Sequence, residues 1–252
     1  MLSPEQTRRF QDEGYLILRG FADAATVQGI RAAAEHELVR AVGPVEYEAD
    51  VHYPGAPSSR EAEGGRTVRR LLDALGRHPL FRAWGCSPGL VSSVASLLPA
   101  PPVLVQAHHN CVMTKQPRFS SETGWHQDIR YWAYEQPELV TAWLALTPER
   151  HENGCLRLLP GSHRRPLGAA QLDERLFLRT EGPQVQAWLD QQESACLAPG
   201  DLLLFHALTL HSAGRNETAH TKLSLVFTYK GRDNKPLPGS RSSARPEVPL
   251  AV

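Results

Sequence analysis

The spacing of apolar residues changes along the chain. After Asp23-Ala24-Ala25, the residues Val27, Ile30, Ala33, Ala34 and Leu38 recur at three- and four-residue steps, which predicts a helix with one face on a core. Ser3-Pro4-Glu5-Gln6 predicts a shorter helix before it, with Ser3 as N-cap and Gln6 closing a capping box, and Gly14 stops it ahead of a strand over residues 15–18. Residues 67–75 and 90–98 also read as helical, the second opened by Ser87-Pro88 and ended by Pro99. Beyond residue 100 the runs shorten and fall between Gly and Pro turns: 103–114, the stretch around His126, 139–146, 155–159, 202–206 and 222–229 all read as strands. On an unbroken 103–114 strand, Gln106, His108 and Asn110 share one parity and are expected to line a wet interior. Residues 168–192 are mixed and partly helical.

Two segments lack any period. Residues 43–66 are rich in Gly, Pro, Ser and Glu and read as either a lid or a plain surface loop. Residues 231–252, rich in Pro, Arg and Ser, read as an extended or frayed tail. The expectation is one domain over residues 1–252, with a helical flank to about residue 100, a core over 101–230 and the tail. Its class is mainly β with flanking helices, a double-sheet jelly roll or barrel.

Composition removes several functions. Lys plus Arg and Asp plus Glu balance at 27 each, so the basic excess that phosphate-backbone binding requires is missing, and nucleic acid is not an expected partner. Cys86, Cys111, Cys155 and Cys196 form no CxxC pair, which argues against a zinc knuckle or a thioredoxin motif and for buried, reduced thiols. No apolar run approaches the length of a membrane span and no secretory signal opens the chain, so a soluble, cytoplasmic protein is expected. Oligomeric state is not readable.

The candidate chemistry lies in Thr123-Gly124-Trp125-His126-Gln127-Asp128-Ile129-Arg130-Tyr131-Trp132. On a strand, His126 and Asp128 face the same side, and His211, 85 residues beyond His126, could close a coordination sphere from a neighbouring strand. Two imidazoles and a carboxylate on one face of an ion, with open positions opposite, is the arrangement of non-haem Fe(II) oxygenases. An H-x-D pair is weak evidence alone, since 11 His in this chain give roughly 0.4 such pairs by chance. Reading these residues as core histidines and a turn acid would, however, leave a buried carboxylate without a partner, which is costly. By parity Arg130 shares the face of His126 and Asp128. Tyr47, His52, Tyr53 and Arg66, in the aperiodic loop, are the other candidate substrate contacts.

Trp125-His126-Gln127-Asp128, Trp143-Leu144-Ala145-Leu146, Asn153-Gly154-Cys155-Leu156, Pro160-Gly161-Ser162-His163, Gly200-Asp201 and His211 to Asn216 together resemble the phytanoyl-CoA dioxygenase family of Fe(II)- and 2-oxoglutarate-dependent oxygenases. The resemblance implies a double-stranded β-helix, a cupin-like jelly roll that binds iron at its mouth. It implies His126, Asp128 and His211 as iron ligands, with His206 as a rival to His211. It implies 2-oxoglutarate and O2 as co-substrates, succinate and CO2 as products, and hydroxylation of a small molecule or an oxidative variant of it. The family's usual Arg eleven residues beyond the last ligand is Lys222 here, and Ser212 stands beside Ala213 where the family places a hydroxyl contact. Gln127, Lys115 and Trp143 are further pocket candidates by resemblance. Lysine offers a point charge where arginine offers a fork. The other readings are a zinc hydrolase using the same ligands, a non-catalytic metal- or ligand-binding jelly roll, and an oxygenase whose Lys222 does not meet 2-oxoglutarate.

Overall fold

In the computed structural model, which describes residues 1–250, the chain begins as its caps dictate. Helix α1 (Pro4–Glu13) has both bonds of the Ser3/Gln6 capping box, and Gly14 ends it with φ +81°. Strand β1 (Tyr15–Leu18) follows, then α2 (Ala24–Arg40), capped by Asp23 and burying Val27, Ile30, Ala33 and Ala34. Strand β2 (Val45–Tyr47), β3 (Val68–Leu72) and the short helices α3 (Ala74–Arg77), α4 (Pro79–Gly85) and α5 (Pro88–Ala95) complete the flank.

The core strands are β4 (Pro102–Val105), β5 (Cys111–Lys115), β6 (Thr123–His126), β7 (Leu139–Ala145) and β8 (Leu156–Leu158). After α6 (Pro183–Leu189) come β9 (Glu193–Ser194), β10 (Leu202–His206), β11 (His211–Ala213), β12 (Lys222–Gly231) and β13 (Val248–Pro249). They form two antiparallel sheets. The larger runs β1-β10-β7-β12-β5-β3-β2, with β4 also on β12 and β13 on β4; the smaller runs β6-β11-β8-β9. Strands β7 and β12 are buried at every position because both faces of the larger sheet are covered. Ala142, Leu144, Leu202, Leu204, Leu225 and Phe227 pack with α2, while Trp143, Leu203, Phe205 and Val226 pack with Leu156, Leu158 and Ala213 of the smaller sheet. The period of two therefore puts Lys222 and Ser224, which share parity with Val226, on the inner face.

Several expectations are corrected. Residues 67–75 are not a helix: Val68–Leu72 pairs with β2 and β5, and only Ala74–Arg77 is helical. Residues 103–114 are not one strand. The chain leaves β4 after Val105, turns through His108 at φ +56°, and re-enters the sheet at Cys111, so Gln106, His108 and Asn110 line no common interior. Asp128 and Arg130 are not on a strand, since β6 ends at His126 and Asp128–Tyr131 is a 3-10 turn. Of the two alternatives for the segment after residue 231, it is extended and not frayed, with β13 on β4 and Glu247 2.9 Å from the buried Lys230 ammonium. Residues 251 and 252 of the expected tail lie outside the described residues. Among the thiols, Cys111 and Cys155 are buried but Cys196 is exposed. No helix among the described residues is long and apolar enough to cross a membrane.

Candidate metal centre and adjoining cavity

His126 closes β6 directly opposite His211 on β11, so sheet pairing brings the two rings to 4.3 Å between centroids. The 3-10 turn then swings Asp128 back between them. Its Oδ1 lies 3.6 Å from His126 Nε2 and 3.5 Å from His211 Nε2. Each imidazole is oriented by the carbonyl two residues before it: Nδ1 of His126 is 2.9 Å from the Gly124 carbonyl and Nδ1 of His211 is 3.0 Å from the Thr209 carbonyl. A carbonyl only accepts, so both Nδ1 atoms carry the hydrogen and both Nε2 lone pairs point at the same place as Oδ1. One ligand atom from each residue lies within 4.8 Å of the others, and all three residues are buried. Asp128 Oδ1 is buried without a hydrogen-bond partner, the sign of a group waiting for something other than protein.

Electrostatics favour the ligand form at His126 and Asp128. Burial, then the neighbouring His211, pushes His126 down to about 4, leaving it neutral. Burial raises a carboxyl, but His109 and His211 outweigh it and hold Asp128 well below the usual range. His211 moves the other way, because Asp128 outweighs the burial that would lower it. His206 is excluded as a ligand: its Nδ1 accepts from the Leu208 amide, and its ring sits 5.5 Å from that of His163.

Beside the three ligands a cavity runs between the sheets, lined among others by Arg69, Lys115, Trp143, Ser212 and Lys222. Lys222 and Lys115 are register partners on β12 and β5. Like charges placed so would repel, and each has a distinct arrangement to relieve it. The Lys222 ammonium is 3.0 Å from Glu149 Oε2 and 5.0 Å from the Trp143 ring, and Glu149 also accepts from Trp143 Nε1 at 2.7 Å and Ser224 Oγ at 2.6 Å. Lys115 has only the Ser121 carbonyl, at 2.7 Å, and burial with help from Arg69 and Lys222 pushes it down to about 7. Arg70 is bidentate to Glu46, at 2.6 and 2.8 Å, and Arg69 reaches Glu46 and Thr123. Ser212 Oγ is buried with no partner. Arg69, Arg70 and Lys222 are paired with Glu46, Glu48 and Glu149, whereas Lys115 has no carboxylate of the described residues within salt-bridge distance.

The remaining sequence candidates divide. Gln127 turns away to the Leu208 carbonyl at 2.6 Å. Arg130 stands at the rim, its guanidinium 4.2 Å from the Phe177 ring centroid and its Nη1 buried and unpartnered, although a 3-10 turn rather than strand parity puts it there. Tyr53 meets the same Phe177 edge-on at 5.3 Å and carries the Arg69 guanidinium over its ring at 5.1 Å. Tyr47 packs instead with the helix-side core and Arg60, and the side chains of His52 and Arg66 lie in separate surface grooves. Segment 43–66 contributes to the rim through Tyr53, and the 173–179 loop crosses above it, with Phe177 bridging to His126.

Sequence reasoning missed Glu149, Arg69, Arg70 and His109. Glu149 and the arginines had no local signal, since their roles follow from strands brought together in space. The need of a buried lysine for a counter-charge could have prompted a search for an acid near Lys222.

Solved structures similar to this chain include the carbocyclase SnoK from nogalamycin biosynthesis, with a TM-score of 0.74 and 23% identity over 100% of this chain and 94% of that one. Iron-bound EctD from S. alaskensis aligns with a TM-score of 0.76 at 18% identity, covering 99% and 87%. At such identities the likeness establishes the jelly-roll fold. Among curated relatives, phytanoyl-CoA dioxygenase domain-containing protein 1 of Mus musculus is 26% identical over 99% of this chain and 97% of its own length. The peroxisomal phytanoyl-CoA dioxygenase of Rattus norvegicus is 25% identical over 93% and 70%. The phytanoyl-CoA dioxygenase (PhyH) family model matches residues 10–224, so the chain belongs to that family.

Proposed function

We propose that this chain is a non-haem Fe(II)- and 2-oxoglutarate-dependent dioxygenase that hydroxylates or otherwise oxidises a C–H bond of a small molecule. The observation that carries the reading is the buried His126, Asp128 and His211 set, with its unpartnered carboxylate oxygen, opening onto a cavity lined by Lys115 and Lys222. Two imidazoles and one carboxylate suit Fe(II) and leave positions on the opposite side. Similar structures support the co-substrate: the epimerase SnoN was solved with Fe3+, alpha-ketoglutarate and a nogalamycin, and EctD with 2-oxoglutarate and 5-hydroxyectoine.

Fe(II) would supply the oxidative chemistry: 2-oxoglutarate and O2 give succinate and CO2, and the second oxygen atom goes to the substrate. The chain's own residues position and seal. Lys115 and Lys222, with Ser212 and Trp143 beside them in the cavity wall, would hold the distal carboxylate of the dicarboxylate. The two lysines stand where like charges would otherwise oppose each other. The packed inner faces of the two sheets keep bulk water from the centre. Tyr53, Tyr131, Phe177 and Arg130 form an aromatic rim with one cation, the approach for a substrate. A zinc hydrolase would need a free base, but the cavity carboxylates Glu48 and Glu149 are each already held by two or more donors.

Fe(II) and then 2-oxoglutarate, added anaerobically to the wild type, should produce a weak visible charge-transfer band only when both are present. Lys222→Ala and Lys115→Ala should each need more 2-oxoglutarate to reach it. No band in the wild type at saturation would overturn the reading, and a band indifferent to both lysines would move the carboxylate to another cation.

A further inference from the structure

The residue at the metal centre with no assigned part is His109. It sits in the turn between β4 and β5, one residue past the left-handed His108. Asn110 pins that turn: its side chain accepts from the Leu75 amide at 2.8 Å and donates to Asp73, and its carbonyl accepts from Ala74. The His109 ring is boxed by two aromatic rings, Tyr131 and Trp132, each edge-on with centroids 5.1 Å away. Trp132 is itself fixed by donating Nε1–H to the Ala107 carbonyl. Within this apolar box Nδ1 is buried without a hydrogen-bond partner, and the polar atom it faces is Asp128 Oδ2, at 3.3 Å.

The two oxygens of Asp128 therefore have different neighbours. Oδ1 faces both ligand imidazoles, and Oδ2 faces His109. We infer that His109 is a positioning residue: its Nδ1, 3.3 Å from Asp128 Oδ2 and with no other partner, is the donor that takes up that oxygen when Oδ1 binds a metal, so that Asp128 presents one oxygen and not two. A carboxylate left free to rotate could offer both oxygens and occupy a position that a co-substrate needs. Fixing it to one keeps that position open, as hydrogen-bonding partners behind metal ligands do elsewhere. This inference rests on the three-ligand reading above, and the experiment separates the two.

The test is direct titration of the metal-free protein with Co(II), an air-stable probe whose visible spectrum reports ligand number. Asn reaches about as far as Nδ1 and can donate the same hydrogen, whereas Gln places its amide where Nε2 lies. The expected result is that His109→Asn keeps the wild-type affinity and spectrum to within a few-fold. His109→Gln and His109→Leu should lose about tenfold to a hundredfold in affinity, with a spectrum shifted toward higher coordination. Thermal melts of the metal-free variants give the packing effect separately, and if the Leu variant does not fold, the Asn and Gln pair decides. Equal Co(II) binding by Asn and Gln, or unchanged binding in Leu, would overturn the role of His109. Failure of the three-ligand reading looks different: wild type and Asp128→Ala would then bind Co(II) alike.

Discussion

Removing the Lys222 ammonium should destabilise the fold through the acid it leaves behind, by an amount that depends on pH in a calculable way. Lys222 and Glu149 are 3% and 1% exposed at their side chains, so neither charge has water to fall back on. In Lys222→Met the Glu149 carboxylate keeps two donors, Trp143 Nε1 and Ser224 Oγ, but no counter-charge. Removing one partner of a buried pair typically costs about 3–5 kcal/mol. A stranded carboxylate can instead take up a proton, which caps the penalty. From an ordinary unfolded-chain value near 4.3, protonation costs about 3.7 kcal/mol at pH 7 and about 1 kcal/mol at pH 5. The sign follows: a carboxyl raised in the folded state is destabilising at high pH and is relieved as pH falls. Lost packing over Trp143 adds a part that does not vary with pH, about 0.5–2 kcal/mol. Urea unfolding of wild type and Lys222→Met at both pH values should give a difference that shrinks by roughly 2–3 kcal/mol between pH 7 and pH 5. Adding Glu149→Gln should remove the pH dependence. A penalty equal at both pH values, or below about 1 kcal/mol at pH 7, would refute the reasoning and leave Lys222 and Glu149 as neighbours rather than a coupled pair.

Lys115, held near 7 by burial and neighbouring cations, is mostly neutral at pH 8 in the free protein, so binding a dicarboxylate there should draw a proton in. Calorimetry of 2-oxoglutarate binding to the metal-loaded protein, in two buffers of different ionisation enthalpy, should show uptake approaching one proton, and Lys115→Met should abolish it. Equal heats in the two buffers would contradict this. The same depressed value means that the unfolded chain holds a proton the folded one has released, so this group's contribution to stability rises with pH from about 7 to 10.5. Asp128→Asn should remove the stabilisation by Co(II), which for wild type at a hundredfold excess over Kd is about 2.7 kcal/mol. A melting-point rise with Co(II) in Asp128→Asn equal to wild type would show that the carboxylate is no ligand.

What could be read along the chain was local or periodic. The Ser3/Gln6 box, the Asp23 cap and the buried face of α2 are set within a few residues, and the apolar run over 202–206 reads as the strand that β10 is. The misread β3 shows where period fails. Val68, Leu71, Leu72 and Leu75 have helical spacing, but flanking strands β2 and β5 supply the pairing and Glu46 takes up Arg70, so tertiary context overrides the pattern. The H-x-D spacing selected the ligands on an argument the structure replaces. Strand parity would have put His126, Asp128 and Arg130 on one face, whereas β6 stops at His126 and a single 3-10 turn brings the carboxylate back.

The distinction matters for how such a centre tolerates change. A ligand held by strand register is fixed by the whole sheet, as His126 and His211 are through their pairing across β6 and β11. A ligand at the head of a short turn has only that turn, one hydrogen bond from the Ile129 amide to the Ala207 carbonyl, and whatever its outer oxygen meets. Asp128 is thus the ligand whose geometry depends on residues distant in sequence. His109 supplies the contact on the far side of the carboxylate, and it reaches that position only because the chain breaks after Val105, turns left-handed at His108 and is pinned at Asn110. None of those three steps has a residue-level signature, since the left-handed position is not a glycine and the strand on either side is apolar. The most deformable ligand in the set is therefore supported by the segment that the sequence described least well.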